Sequence, residues 1–182
     1  LGSHVIFVTG GLGGVQQAFA ESCDIAARVW NVLPKGQRSG YIQGKDLNAG
    51  KDLDQRREVF SALGELYLSF EGGPGVAAEA RAAVQRGATV LPVPRTGGAS
   101  SGMFDFPASV LARPWFATEE QWVLLNDQEA DVAKVASACV SAVESFVAHQ
   151  LVVQEESWDD MCYADLDADR WASLAVVGAQ PL

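Results

Sequence analysis

The chain has 182 residues, 48% of them hydrophobic, with 13 Lys and Arg against 23 Asp and Glu for a net charge of −10. That length suits one domain burying about 70% of its unfolded surface without disulfide or metal staples, and the acidity argues against a nucleic-acid binder that would need a basic face for phosphates. Apolar runs fall short of the roughly 18 residues that cross a bilayer, and three cysteines without a C-x-x-C spacing, beside two histidines, predict free thiols, no metal centre and a cytoplasmic setting.

His4 to Thr9 is a short β-branched apolar run cut off by Gly10-Gly11-Leu12-Gly13-Gly14, the pattern of a buried parallel strand followed by a tight turn. A helix is expected over Val15–Cys23 and a second strand over Val29–Leu33, stopped by Pro34. Residues 34–50 hold four glycines and no periodicity, which reads as a long loop, and loops of that length are often functional. Asp52–Leu63 has helical composition, with Gly64 as a C′ stop. Leu66–Phe70 is the third strand, Gly72-Gly73-Pro74-Gly75 the next turn, and Val76–Gln85 an alanine-rich helix ended by Gly87. Thr89–Val93 is the fourth strand, followed by Thr96-Gly97-Gly98. This βαβαβαβ order predicts an α/β fold, a Rossmann-like, doubly wound parallel sheet in three layers.

Further on, Thr118-Glu119-Glu120-Gln121 fits a capping box. Val132, Val135, Ala136, Cys139, Val143, Phe146 and Val147 then make an amphipathic stripe that should cover one sheet face. Residues 151–182 carry seven acids and one Arg. The expected division is therefore a nucleotide-binding domain over 1–150 and an acidic tail over 151–182 dispensable for folding, unless Trp158 and Trp171 dock on the sheet.

Ligands of open α/β sheets bind beyond the carboxyl ends of the strands, where this chain has glycine loops at 10–14, 72–75 and 96–98. Glycine lets backbone N–H groups approach an anion, and the following helix adds its dipole. Seven of the 13 basic residues lie between Arg28 and Arg57 against Asp46, Asp52 and Asp54, either a ligand-facing patch or an ordinary solvated surface.

Three familiar patterns are weaker. Ser39-Gly40-Tyr41-Ile42-Gln43-Gly44-Lys45-Asp46 lacks the first Gly and the Ser/Thr of a P-loop. Gly73-x-Gly75-x-x-Ala78 matches a dinucleotide fingerprint but is followed by Arg95 where a ribose-binding acid belongs, which would suit a 2′-phosphate. Asp165-x-Asp167-x-Asp169 starts like a calcium loop and continues with Arg170 where Gly is needed.

The wider stretch Glu71-Gly72-Gly73-Pro74-Gly75-Val76-Ala77-Ala78-Glu79 resembles the P-G-G-x-G-T-x-x-E signature of the Lonely Guy (LOG) family, once called lysine decarboxylases. Thr9-Gly10-Gly11-Leu12-Gly13-Gly14-Val15 is similar to its second glycine loop, and Leu53-Asp54-Gln55-Arg56-Arg57 to its M-x-x-R-K helix. The resemblance spans roughly residues 4–148 and implies cleavage of the N-glycosidic bond of nucleoside 5′-monophosphates, no cofactor and a homodimer. It implies Glu79 as catalytic carboxylate, Arg56 as its basic partner, and Gly72, Gly73, Gly75 and Val76 as the phosphate cradle. Gly10, Gly11, Gly13, Gly14, Thr96 and Gly97 complete the expected nucleotide site. Glu71 and Val76 depart from the family's Pro and Thr, and the family's usual first strand and helix have no counterpart before the Gly10 loop. Gly73-Pro74-Gly75-Val76-Ala77-Ala78-Glu79 is also similar to the G-P-G-T-A-A-E stretch of the molybdenum cofactor carrier proteins, which bind a phosphorylated pterin without catalysis. A nucleotide-sensing module is a third reading. Without the resemblance, Glu79 reads as an acid favoured by the helix dipole and Arg56 as a surface salt-bridge residue.

Overall fold

The structure, a computed structural model, describes residues 5–159 and 172–178, with side chains for residues 5–151. Six parallel strands form one sheet in the order β3-β2-β1-β6-β4-β5. They are β1 (Val5–Thr9), β2 (Val29–Leu33), β3 (Lys45–Asn48), β4 (Leu66–Phe70), β5 (Thr89–Val93) and β6 (Ala172–Gly178). The helices are α1 (Val15–Ser22), α2 (Leu53–Leu63), α3 (Pro74–Gln85), α4 (Glu119–Asn126) and α5 (Val132–Asp159).

Alternate strand residues face opposite layers, as the two-residue period of a strand requires. Val5, Phe7, Leu66, Leu68, Leu91 and Val93 pack with Ala20 of α1, Leu125 of α4, and Val135, Cys139, Val143 and Phe146 of α5. Val8, Val32, Tyr67 and Val90 face the other way, against Phe60 of α2 and Ala77, Ala80 and Ala83 of α3. This is the doubly wound, three-layer α/β fold that the strand and helix order predicts. The stripe on α5 is buried as expected, and burial of Cys139 pushes its thiol pKa up to about 11. The outer face of α5 keeps Val132 and Val140 exposed, and the expectation that apolar stretches fall short of a bilayer span is corrected there: Val132–Leu151 is long and apolar enough by composition alone, a test that the core helix of a soluble protein also passes. Here its inner face is committed to the sheet.

Four expectations need correction. The loop assigned to 34–50 contains β3, an edge strand whose four residues are all exposed. Lys-Asp-Leu-Asn has no apolar alternation because neither face of that edge is covered, so periodicity could not reveal it. Gly64 ends α2 as expected, but as its extended C-cap, φ −86°, one position inside the expected C′. Its N–H donates to the Tyr67 hydroxyl at 2.8 Å, while its carbonyl accepts from Arg86. α3 starts at Pro74, whose missing N–H is harmless in a first turn, two residues before the expected start. α5 runs past residue 147 to Asp159.

The largest correction concerns the acidic tail. β6 lies inside it and occupies the centre of the sheet, pairing with β1 from Val5↔Ala172 to Thr9↔Val176 and with β4 from Leu66↔Leu174 to Phe70↔Gly178. β1 and β4 do not pair with each other, so this one strand joins the two halves of the sheet. A folding-dispensable tail is incompatible with that topology. The expected docking of Trp158 and Trp171, and the Asp165-x-Asp167-x-Asp169 stretch, fall outside the described side chains.

Candidate functional site

The winding puts every β-to-α turn of this parallel sheet at one edge. The order of winding reverses across β6: β1 leads by α1 to β2 on one side, and β4 leads by α3 to β5 on the other. Loops 10–14 and 71–75 therefore diverge around the carboxyl end of β6, the kind of crevice in which open α/β sheets hold ligands.

Under this crevice lies a buried ion pair. Arg56 of α2, 1% exposed, places Nη1 2.5 Å from Oε1 of Glu79 of α3, 4% exposed. Its Nε donates to the Val32 carbonyl at 2.8 Å, and the guanidinium lies 4.6 Å from the Phe60 ring centroid. Nη2 is buried and has no hydrogen-bond partner. Burial raises the Glu79 pKa, and the charges of Arg56 and Arg57 pull it back. Burial likewise lowers that of Arg56 against the pull of Glu79. The surface salt-bridge reading of Arg56 is overturned, because both partners are inside the protein.

Gly10 exists for this pair. A Cβ there would overlap Nη2 of Arg56 and lie 2.7 Å from Oε1 of Gln16. Gly11, at φ +67°, turns against the Leu33 side chain, and its N–H donates to Thr9 Oγ1 at 3.1 Å. The Leu12 N–H points to Gln16 Oε1 at 3.5 Å. Gly13 is half-buried, and Gly14 is exposed as the N-cap of α1 at φ 88°. Tyr41 crosses from the 34–44 loop to donate its hydroxyl to the Leu12 carbonyl. Burial, and then the Glu21 charge, hold that phenol protonated well above its ordinary range.

The loop after β4 is built differently. Gly73 is the N-cap of α3, and a Cβ there would meet nothing within 4 Å. Gly75 lies beside Arg57, whose Nη2 and Nε would be 3.1 and 3.3 Å from an added Cβ. Gly72 adopts φ +86° over the Val76 side chain. Val76 itself is 4% exposed and belongs to the core, so it offers a ligand only its backbone. Thr96 is a brace: its Oγ1 accepts the Glu71 N–H and donates to the Val93 carbonyl, each at 2.6 Å. Gly97, at φ 82°, only turns the chain between two 3₁₀ segments.

The basic stretch disperses. Arg28 bonds the Val5 carbonyl at the amino edge of the sheet, and Lys45 lies 5.2 Å from the Trp30 ring centroid at the start of β3. Arg56 and Arg57 are the members that meet the glycine loops. Arg95 is not free for a 2′-phosphate, since it donates to the Ala130 and Gln128 carbonyls at 2.8 and 2.9 Å. A cleft of about 520 Å³ opens beside Arg38, Tyr41, Asp46 and Asn48. Asp46 and Asn48 are already engaged there by Ser39, Asn31 and the Pro34 and Gln37 carbonyls.

Sequence reasoning missed Tyr41 as a member of this region and gave Arg57 no role of its own beside Arg56. Arg57 carried a signal, being adjacent to Arg56 on the same helix. Comparison with family models, with curated proteins and with solved structures finds no match to this chain.

Proposed function

We propose that the chain binds a nucleoside 5′-monophosphate across the crevice between loops 10–14 and 71–75 and hydrolyses its N-glycosidic bond, releasing free base and ribose 5-phosphate. The observation that carries this reading is the buried Arg56–Glu79 pair with Arg56 Nη2 unpartnered beside Gly10 of the first loop. An unpaired buried donor costs about 1–3 kcal/mol, and a ligand oxygen would relieve it. Glycosidic cleavage builds positive charge on the sugar, which a carboxylate in a desolvated pocket stabilises, or exploits by taking a proton from the attacking water. The amino end of α3 and its free backbone N–H groups favour the phosphate.

A non-catalytic carrier of a phosphorylated ligand is the second reading. It is favoured by the 4% exposure of Glu79 and the engagement of Oε1 by Arg56, which together shield the carboxylate from water. Incubation of AMP with the protein separates the two. Appearance of adenine and ribose 5-phosphate, reduced about 10²–10⁴-fold in Glu79→Gln, is expected of the hydrolase. Tight binding of nucleoside monophosphates that all stay intact would leave the carrier.

A further inference from the structure

We propose that Gln16 is a positioning residue that relays ligand occupancy of loop 10–14 to the Arg56–Glu79 pair; the proposal rests on the nucleotide reading above. Gln16 lies in the first turn of α1 and is 2% exposed, so its amide has to find partners inside the protein. Its Oε1 stands between two donors and serves neither well. On one side the Leu12 N–H approaches at 3.5 Å, the outer limit of a hydrogen bond. On the other lies Arg56 Nη2, buried and without a partner. Gly10 brings acceptor and orphan together, since a Cβ there would overlap Nη2 and lie 2.7 Å from Oε1. Both atoms border one small space, and a rotation of the Gln16 side chain joins them.

The backbone around Leu12 is otherwise pinned. The Gly11 N–H is held by Thr9 Oγ1 at 3.1 Å, and the Leu12 carbonyl accepts from the Tyr41 hydroxyl. Leu12 itself is half-buried, and its N–H is the loosely held donor of this turn. A ligand oxygen arriving at the loop takes that N–H at little cost, because the bond it replaces is long. Gln16 Oε1 is then released to Arg56 Nη2. The guanidinium already donates from Nε to the Val32 carbonyl and from Nη1 to Glu79. The third bond completes its set and fixes the plane in which it faces Glu79. The free protein thus carries an unsatisfied buried donor, and the ligand relieves it by way of Gln16. An apolar side chain of the same length would fill the space without making the exchange. A carboxylate would bind Arg56 permanently and compete with Glu79.

Calorimetric titration of AMP into wild type, Gln16→Met, Arg56→Lys and the double variant tests this. Met keeps the length of Gln and packs in its place without an amide acceptor. Gln16→Met should bind AMP about three- to tenfold more weakly than wild type, because the bond to Arg56 is no longer gained. In the Arg56→Lys background, which lacks Nη2, the same substitution should change AMP affinity by less than about twofold. Nuclear magnetic resonance reads the relay without altering Arg56. Its Nη2 protons should exchange with water more slowly in the AMP complex than in the free protein, and Gln16→Met should abolish that slowing. If Gln16 only caps Leu12, its loss frees that N–H, and Gln16→Met binds AMP as tightly as wild type or more tightly. That result, an equal loss in the Arg56→Lys background, or Nη2 exchange indifferent to AMP overturns the relay and leaves the nucleotide site standing. No binding of AMP by wild type overturns both.

Discussion

The glycine loops after β1 and β4 read alike as sequence and do different work in the fold. In the loop after β1, Gly11 and Leu12 direct their N–H groups at Thr9 and Gln16, and Tyr41 takes the Leu12 carbonyl. Gly10 leaves room for a guanidinium instead of a ligand. In the loop after β4, Gly73 faces open space and Gly75 faces the free edge of Arg57. One loop supports the crevice from within, and the other presents donors to it. Glycine marks a place where a side chain would not fit, and what claims the space has to be found in three dimensions.

Removing β6 should break the comparison most completely, because that strand sets the two loops side by side. A chain ending at Asp159 would leave five positions unpaired on the inner edge of β1 and five on that of β4. The expected outcome is loss of the cooperative thermal transition followed by circular dichroism. A sharp transition near the wild-type Tm would show that the sheet closes without β6.

Substitution of one glycine in each loop comes next. Gly10→Ala must drive Arg56 from its seat and strand Glu79, and breaking a buried pair costs about 3–5 kcal/mol. For a chain of this length that lowers Tm by about 10 °C. Gly73→Ala has a permissive backbone, φ −108°, and nothing to collide with. Its cost is that of a poorer N-cap, about 1 kcal/mol or less, so any loss of phosphate-ester affinity reads the ligand contact itself. Equal melting of the two variants would erase the distinction between the loops.

A smaller, pH-dependent effect sharpens the role of the pair. Burial raises the Glu79 pKa above its ordinary 4.5, so between that pH and the folded-state pKa the folded protein holds a proton that the unfolded chain has released. Stability from this group is complete below about pH 4.5 and is lost as pH rises through the folded-state pKa. The stability of wild type relative to Glu79→Gln should therefore fall as pH rises above 4.5, measured by urea denaturation at successive pH values. A difference that grows with pH would mean that Arg56 overcomes the desolvation of Glu79.

Much of the architecture was legible because β1, β2, β4 and β5 are apolar runs covered on both sides. The capping box was also plain: Thr118 Oγ1 accepts from Gln121 N, and Gln121 Oε1 accepts from Thr118 N. β3 was not legible, since an exposed edge needs no hydrophobic pattern. β6 was hidden differently. Ala-Ser-Leu-Ala-Val-Val-Gly has a strand's composition, but it follows an acid-rich stretch whose charge density dominates any regional average. In the site, positive-φ glycines could be anticipated from their turns. The fit of Arg56 against Gly10 could not, because it joins a helix to a loop with no local sequence relation between them.

The smallest effect tests whether the first loop is held from outside as well as from within. Tyr41 is the only aromatic residue in the 34–44 loop, and its hydroxyl donates to Leu12 while its ring packs against the core layer containing Phe7 and Ala20. Tyr41→Phe keeps that ring and removes one hydrogen bond. The expected cost is about 0.5–1.5 kcal/mol, since the Leu12 carbonyl loses its donor while the apolar contact remains. The loop after β4 does not touch this bond, so Glu71→Asn and Tyr41→Phe should add in their effects on Tm, as separated sites do. Hydrogen exchange should show faster opening of the amides of residues 10–14, with those of 71–75 unchanged. If both loops open together in Tyr41→Phe, they form one cooperative unit, and the division of labour between them is confined to their ligand contacts.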